Sequence, residues 1–325
     1  MSSHILMAYE FDGTGSAKAI AQNDISKSIS SIKPAWVHLD ANHPETKLWL
    51  ENEFSNLDSF VLQALLEDET RPRITETHTH GGVLIILRGA NFNEDSQPED
   101  MVSIRLWVNQ SGIISVRKRK LKAILDIEKS FSDGNGPTTT AEFVCMLVDR
   151  LFKRMEPVLA TLDERIDNIE ENIISNPSNK HREEIVDIRR KAIIFRRYMA
   201  PQRDALINLR NSNLLWFDGS NIKSISESIN HVTRFIEDLD TIRERAQIIK
   251  DELSNILSDK LNRNMYLLSV IAAIFLPLGF LTGLLGVNIG GIPGVDNTYA
   301  FGFFCIILFV IVMIQIFIFK KNKWF

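Results

Sequence analysis

The sequence predicts an α+β cytoplasmic domain with long α-helices, continuing into a two-helix transmembrane hairpin. Three observations predict it. Strand-like and helical patterns alternate up to Gly136, no strand signal follows Asp133-Gly-Asn-Gly-Pro137, and the chain's last part holds two apolar stretches, Met265–Leu285 and Tyr299–Phe319. Each stretch has the roughly 20 residues an α-helix needs to cross about 30 Å of hydrocarbon.

In segment 1–136, apolar or alternating β-rich runs occur at Leu6–Phe11, Ala35–Leu39, Val83–Arg88, Val102–Val108 and Ile113–Val116. Short runs of this kind bounded by turn residues read as strands. Helical patterns lie between them at Pro44–Phe54, Asp58–Glu67 and Leu121–Phe131. The turn signals Asn93-Glu-Asp-Ser-Gln-Pro98 and Asn109-Gln-Ser-Gly112 make the last three runs consecutive antiparallel strands. The segment is large enough for a core of its own.

Segment 137–219 reads as long cytoplasmic helices. Thr138–Ser175 is one, with Pro157 expected to kink it, and Lys180–Arg210 is the next, bent before Pro201. Segment 220–264 is a stalk that is expected to run on into the membrane, because no Pro or Gly interrupts Asn221–Leu276. Apolar residues recur along it at Val232, Phe235, Leu239, Ile242, Ala246, Ile249, Leu253 and Ile256, spaced 3 and 4 apart. This is the pattern of a helix packed along a seam with neighbours. A helix from Ser220 to Leu285 would be roughly 100 Å long at 1.5 Å per residue, and a single copy is not expected to shield such a rod. A coiled-coil spacer that only holds the soluble part off the membrane fits the heptads equally well.

Segment 265–325 is the hairpin with a basic C-terminus. Its first span is not built like a simple anchor. Met265, Leu268, Ala272, Leu276, Gly279 and Gly283 share one helical face, and Gly279 with Gly283 forms a small-xxx-small pair that lets backbones approach closely. The second span is bulky all round, with Phe301, Phe303, Phe304, Phe309, Phe317 and Phe319. The first is therefore expected to be the inner helix of an oligomer and the second its lipid-facing wrap. Several copies of Asn288 would then surround one axis. Amide oxygens are hard, neutral ligands for a divalent cation or its hydration shell, binding weakly enough to allow passage. Gly286 and Asn288 are equally the residues of a left-handed helix cap.

Charge sets the orientation. Lys260 and Arg263 precede the first span and Lys320, Lys321 and Lys323 follow the second, whereas the loop between has no Lys or Arg and one acid, Asp296. Both termini are therefore expected in the cytoplasm, and Met1–Asn23 has no signal-peptide pattern. Between Asn264 and Phe319 there is no His, Lys or Arg and no carboxylate besides Asp296. A relay of intramembrane acids or histidines is thus missing; proton coupling would have to use pore water, Asp296 or cytoplasmic groups such as His231.

Other classes find little support. A net charge of −4 makes no case for nucleic acid, and the basic run Arg117-Lys-Arg-Lys120 lacks interleaved aromatics. Cys145 and Cys305 are too far apart in sequence to suggest a disulfide framework. No nucleophile elbow or phosphate-binding glycine loop points to an enzyme. His78-Thr-His80 shares one face if on a strand, but two ligands do not close a metal site. The acidic run Asp163-Glu164, Asp167 and Glu170-Glu171 reads as a solvated face with partners such as Arg165, or as a surface that concentrates cations.

Gly286-Val-Asn288 after an apolar helix, the short loop, the second span and the Lys-rich end with Trp324 resemble the CorA superfamily of two-span metal-ion transporters. Most members carry Gly-Met-Asn. Valine in the middle, followed by Ile289-Gly-Gly-Ile-Pro-Gly294, is similar to the zinc-transporting ZntB branch, as are Trp36-Val-His-Leu39 with His43-Pro44, Thr70-Arg-Pro-Arg73, Gly136-Pro-Thr138 and Arg196-Arg-Tyr-Met-Ala-Pro-Gln-Arg-Asp204. The resemblance implies a funnel-shaped homopentamer in the inner membrane, with the lipid bilayer and further copies of the chain as its partners. It implies uptake of Zn2+ coupled to protons, with Co2+, Ni2+ and Cd2+ as further cations and no cofactor. Gly286, Val287 and Asn288 would form the mouth, with Asn288 meeting the hydrated ion, and Asp296 would attract cations. Met265, Leu268, Leu276 and Gly279 fall where the family lines its pore. The alternatives are a CorA-like Mg2+/Co2+ channel driven by membrane potential, and a tail-anchored cytoplasmic binding protein, which would need neither the glycine-rich inner face nor the Gly-Val-Asn turn.

Overall fold

The computed structural model describes all residues except 1–2, 56, 69, 78–80, 288–291, 293, 295–296 and 322–325. All five β-rich runs become strands, and two short ones join them. The strands are β1 (Ile5–Phe11), β2 (Ala17–Ala19), β3 (Ala35–Asp40), β4 (Arg73–Glu76), β5 (Val83–Gly89), β6 (Val102–Val108) and β7 (Gly112–Arg117). They form one sheet in the order β2-β1-β3-β7-β6-β5-β4. The last three runs are consecutive antiparallel neighbours, as the turn signals predict. The β3–β7 pairing is parallel, with Val37 opposite Ile114. Ala35–Leu39 and Gly112–Val116 are buried without alternation, as expected of central strands covered on both faces. The two strands that sequence reasoning missed, β2 and β4, are the short edges of the sheet and have little apolar pattern to betray them.

Helices cover both faces. On one, α1 (Ile25–Ile29), α2 (Glu45–Glu53) and α3 (Ser59–Leu66) bury Ile29, Leu50, Val61 and Leu65 against Val37, Leu39 and Ile114. On the other, Trp36 meets Phe143 at 4.9 Å and Phe11 meets Phe131 at 5.0 Å between ring centroids. Phe131 belongs to α4 (Lys122–Ser132) and Phe143 to α5 (Thr140–Ser175), while Phe11 ends β1. Helix α5 starts two residues later than the pattern suggests because Thr139 caps it. The Thr139 hydroxyl accepts from Glu142 N at 3.1 Å, satisfying a donor that the helix start leaves unpaired, while the Glu142 carboxylate accepts from Thr138 N at 2.7 Å and ties the residue before the cap to the first turn. Helix α6 (Asn179–Arg210) follows, and neither Pro157 nor Pro201 ends its helix.

His38 lies in the sheet's interior, fully buried. Its Nδ1 shares a hydrogen bond of 2.8 Å with Ser115 Oγ, which also accepts from Trp36 Nε1 at 2.7 Å. Burial first, then the nearby Arg117 charge, pushes its pKa down to about 3, so this imidazole is neutral at pH 7 and acts as a packing group.

The chain divides into two compact units, Met1–Lys250 and Asp251–Phe325. Helix α7 (Gly219–Leu285) is continuous from one into the other, and α8 (Ala300–Lys321) completes the second. In the first unit the heptad stripe of α7 is already covered. Val232, Phe235, Leu239, Ile242, Ala246 and Ile249 are all buried within a single copy. Phe235 packs edge-on against Phe152 of α5 at 6.1 Å, and Asp240 forms an ion pair with Arg196 of α6 at 2.7 Å. The neighbours of this part of the rod are the chain's own α5 and α6, whereas from Met265 onward a single copy leaves the rod largely exposed.

Candidate ion pathway

The second unit has the opposite character. Among the described residues, helices α7 and α8 are the two elements long and apolar enough to cross a membrane, and almost nothing in their apolar windows is buried. The face named from the sequence is open along its length: Met265, Leu268 and Leu276 are 61%, 66% and 72% exposed, and Ala272, Gly279 and Gly283 are exposed too. A methyl group added at Gly279 or Gly283 would meet nothing within 4 Å. Within one copy, then, no contact requires these glycines.

The other side of the same helix is partly covered. Val270 is buried, and Ala273, Ile274, Pro277, Leu278 and Leu281 are half-buried. At 100° per residue these positions lie roughly opposite the open face. The contact there has a specific chemistry. Gln315 of α8 donates from Nε2 to the Ala273 carbonyl at 3.2 Å. That carbonyl would ordinarily accept from the N–H four residues on, at position 277, but Pro277 has none. In hydrocarbon no water can pair such a carbonyl; Gln315 supplies the missing donor and thereby fixes α8 to the covered side. Sequence reasoning passed over Gln315. The signal was present: one amide in an otherwise apolar span, beside a span interrupted by proline.

At the end of α7, Gly286 N continues the helical pattern to Thr282 O at 2.9 Å. Gly286 is not among the glycines with positive φ, so the left-handed cap open to it on sequence grounds is not formed at this residue. Glycine is needed for space instead, since an added Cβ would sit 2.7 Å from Thr282 O. Val287 is exposed. Asn288 and Asp296 lie outside the described residues, as do His78, His80, Lys323 and Trp324.

The remaining sequence candidates fall in the first unit. His231 is exposed and lines a cavity of about 520 Å³ together with Cys145, Asp149, Glu156 and Glu227. Cys145 there is inert: its thiol faces Asn221, and burial pushes its pKa up to about 12. The acidic run on α5 does have an ionic partner, though not Arg165, which bonds Asp187 on α6 at 3.3 Å. Arg245 of α7 reaches Asp163, Asp167 and Glu170 at 3.4, 2.6 and 2.5 Å. One cation thus bridges three of the acids and leaves the cluster net negative.

A mixed sheet wrapped by helices, followed by two membrane-length helices joined through Gly-Val-Asn, defines a two-span membrane protein with a large soluble unit. The chain belongs to the CorA family: residues 33–321 match the family described as CorA-like Mg2+ transporter protein. It is 36% identical to a zinc transport protein ZntB of Yersinia pestis, over 99% of this chain and 96% of that one. It is 33% identical to the divalent cation transporter CmaX of Pseudomonas aeruginosa, over 98% and 96%. The solved structure of full-length CmaX superposes with a TM-score of 0.86 at 32% identity, covering 100% of this chain and 99% of that one.

Proposed function

We infer that the chain is a divalent-cation transporter that takes up Zn2+ across the inner membrane, coupled to protons, as a homopentamer with both termini in the cytoplasm. The observation that carries this reading is the open face of α7, with exposed Met265, Leu268, Ala272, Leu276, Gly279 and Gly283 opposite the side that α8 covers. Copies of that face around one axis make a path without fixed charge, ending at Gly286, Val287 and Asn288. Asn288 meets the hydrated ion and Asp296 draws cations to the mouth. Residues 1–136 and 137–219 form the cytoplasmic body, 220–264 the stalk and 265–325 the hairpin. The relatives named for zinc and for divalent cations support the cargo class, and Val287 in place of methionine favours zinc over magnesium. The relatives are named as transporters and not as enzymes, which supports a role in transport.

A second reading, a Mg2+/Co2+ channel driven by membrane potential, is favoured by one observation: from Asn264 to Phe319 the sequence offers a proton only Asp296. The potential alone favours entry of a divalent ion by roughly 4–5 kcal/mol per 100 mV, twice the value for one charge. Flux into proteoliposomes with competing divalent ions, run with and without a pH gradient, separates the two. Zinc flux that rises with an inward proton gradient supports the first reading; flux that follows only the ion gradient and voltage overturns proton coupling.

A further inference from the structure

The soluble unit holds a second set of metal-ligating side chains that the transport reading does not use. His4 stands immediately before β1, His43 in the turn that leaves β3, and Glu45 at the first position of α2. The fold brings them together through the β1–β3 pairing. Asp40 N donates to His4 O at 2.9 Å, and His43 N donates back to Asp40 O at 3.3 Å. A nitrogen of each imidazole and a carboxylate oxygen of Glu45 all lie within 4.8 Å of one another.

Two features separate this group from an ordinary surface ion pair. His4 is 6% exposed, yet among the described residues its Nε2 has no hydrogen-bond partner, and its Nδ1 faces Glu45 Oε2 at 3.5 Å, the limit of a hydrogen bond. A buried imidazole usually has at least one firm partner; this one is held by packing, with the His43 ring 5.7 Å and the Trp49 ring 5.5 Å away. His43 in turn has a weak commitment, its Nδ1 accepting from Glu45 N at 3.3 Å. Ligation through Nδ1 displaces that bond. Ligation through Nε2 moves the imidazole proton to Nδ1 and displaces it as well, so in either case one long hydrogen bond is lost. The Glu45 side chain is 70% exposed and leaves a way in from solvent.

We propose that His4, His43 and Glu45 form a resident Zn2+ site in the soluble unit, distinct from the residues of the membrane-spanning helices. Two imidazoles and one carboxylate are a familiar zinc donor set with a fourth position for water, whereas Mg2+ demands near-octahedral oxygen ligands. A tetrahedral zinc with bonds of about 2.0–2.1 Å needs ligand atoms roughly 3.3 Å apart, so the exposed Glu45 carboxylate and the half-buried His43 ring close in on the buried His4. The metal then clips the start of β1 to the β3–α2 turn.

The test is zinc titration of the purified full-length protein in detergent, followed by stoichiometry, thermal unfolding and X-ray absorption at the zinc edge. Substitutions His43→Ala and Glu45→Ala are used because these side chains are half-buried and exposed, so the fold survives them; His4→Asn is a third variant. The wild type is expected to hold one more Zn2+ per chain than His43→Ala, with two histidine nitrogens in the absorption spectrum. Its unfolding midpoint should rise with Zn2+ and not with Mg2+, a rise that His43→Ala loses and Glu45→Ala reduces. Equal stoichiometry and equal thermal shifts in wild type and His43→Ala, or a spectrum without histidine nitrogen, would overturn the site. Binding is read here without any flux measurement, so failure of the transport reading leaves the result interpretable.

Discussion

The two parts of helix α7 obey the same spacing rule and meet opposite fates. From Val232 to Ile249 its apolar stripe is buried by the chain's own α5 and α6; from Met265 to Gly283 an equally regular stripe is exposed. Periodicity reports that a helix has a face to cover and says nothing about what covers it. In the first unit the cover is apolar packing with ion pairs at its rim. In the second, α8 takes one side through Gln315 and leaves the glycine-bearing side for something outside the single copy.

The largest expected effect falls on the open face. Asn288→Leu, at the residue proposed above to meet the ion, should abolish zinc flux in proteoliposomes while leaving assembly, read by size-exclusion with light scattering, unchanged. Gly283→Leu has space within one copy, so it should leave the soluble unit's unfolding unaltered and still block flux. Wild-type flux in either variant would remove the open face from the ion path.

Next comes a matched pair across the comparison. Leu239→Ala, on the buried stripe, should cost about 2–5 kcal/mol in denaturant unfolding of the soluble unit. Leu268→Ala, on the open one, should change stability by no more than about 0.5 kcal/mol and act on flux instead. Equal stability losses would mean that the two stripes do not differ as described.

The sequence told the elements apart better than it told their partners. The five strands with strong apolar patterns, the long helices and both membrane spans were legible because burial and hydrocarbon impose periods and lengths that survive in composition. Strands β2 and β4 and the five-residue α1 were not, since each is too short to show a period. The stripe of α7 was visible, but its cover by α5 was not, because contacts such as Phe152–Phe235 and Asp163–Arg245 join residues far apart in sequence. That Met265, Leu268, Ala272, Leu276, Gly279 and Gly283 share one exposed face of α7 was legible residue by residue. Its opposite was missed, since a role for Gln315 emerges only when the carbonyl that Pro277 strands is traced back to Ala273.

The third prediction exploits a titrating group that the first unit has and the spans lack. Below pH 6.5 an unfolded chain protonates His38, whereas the folded chain resists protonation down to about pH 3. Stability of the soluble unit should therefore fall as pH drops through this window, by about 1.4 kcal/mol per pH unit at most. His38→Asn cannot titrate and should flatten that part of the profile. An unchanged slope would show that His38 is already protonated in the fold.

The smallest expected effect is the most local. Gln315→Leu strips the Ala273 carbonyl of its donor and should cost about 1 kcal/mol in association of the two spans, near the usual worth of an interhelical hydrogen bond in a membrane. Pro277→Ala gives position 277 an N–H, which can pair with the Ala273 carbonyl inside α7. In that background Gln315→Leu should cost close to nothing, so the two substitutions together should be less damaging than their sum. Strict additivity in this double-mutant cycle would mean that Gln315 holds α8 for reasons other than the carbonyl. The covered and open sides of α7 would then differ by shape alone, without the polar pin that orients one away from the other.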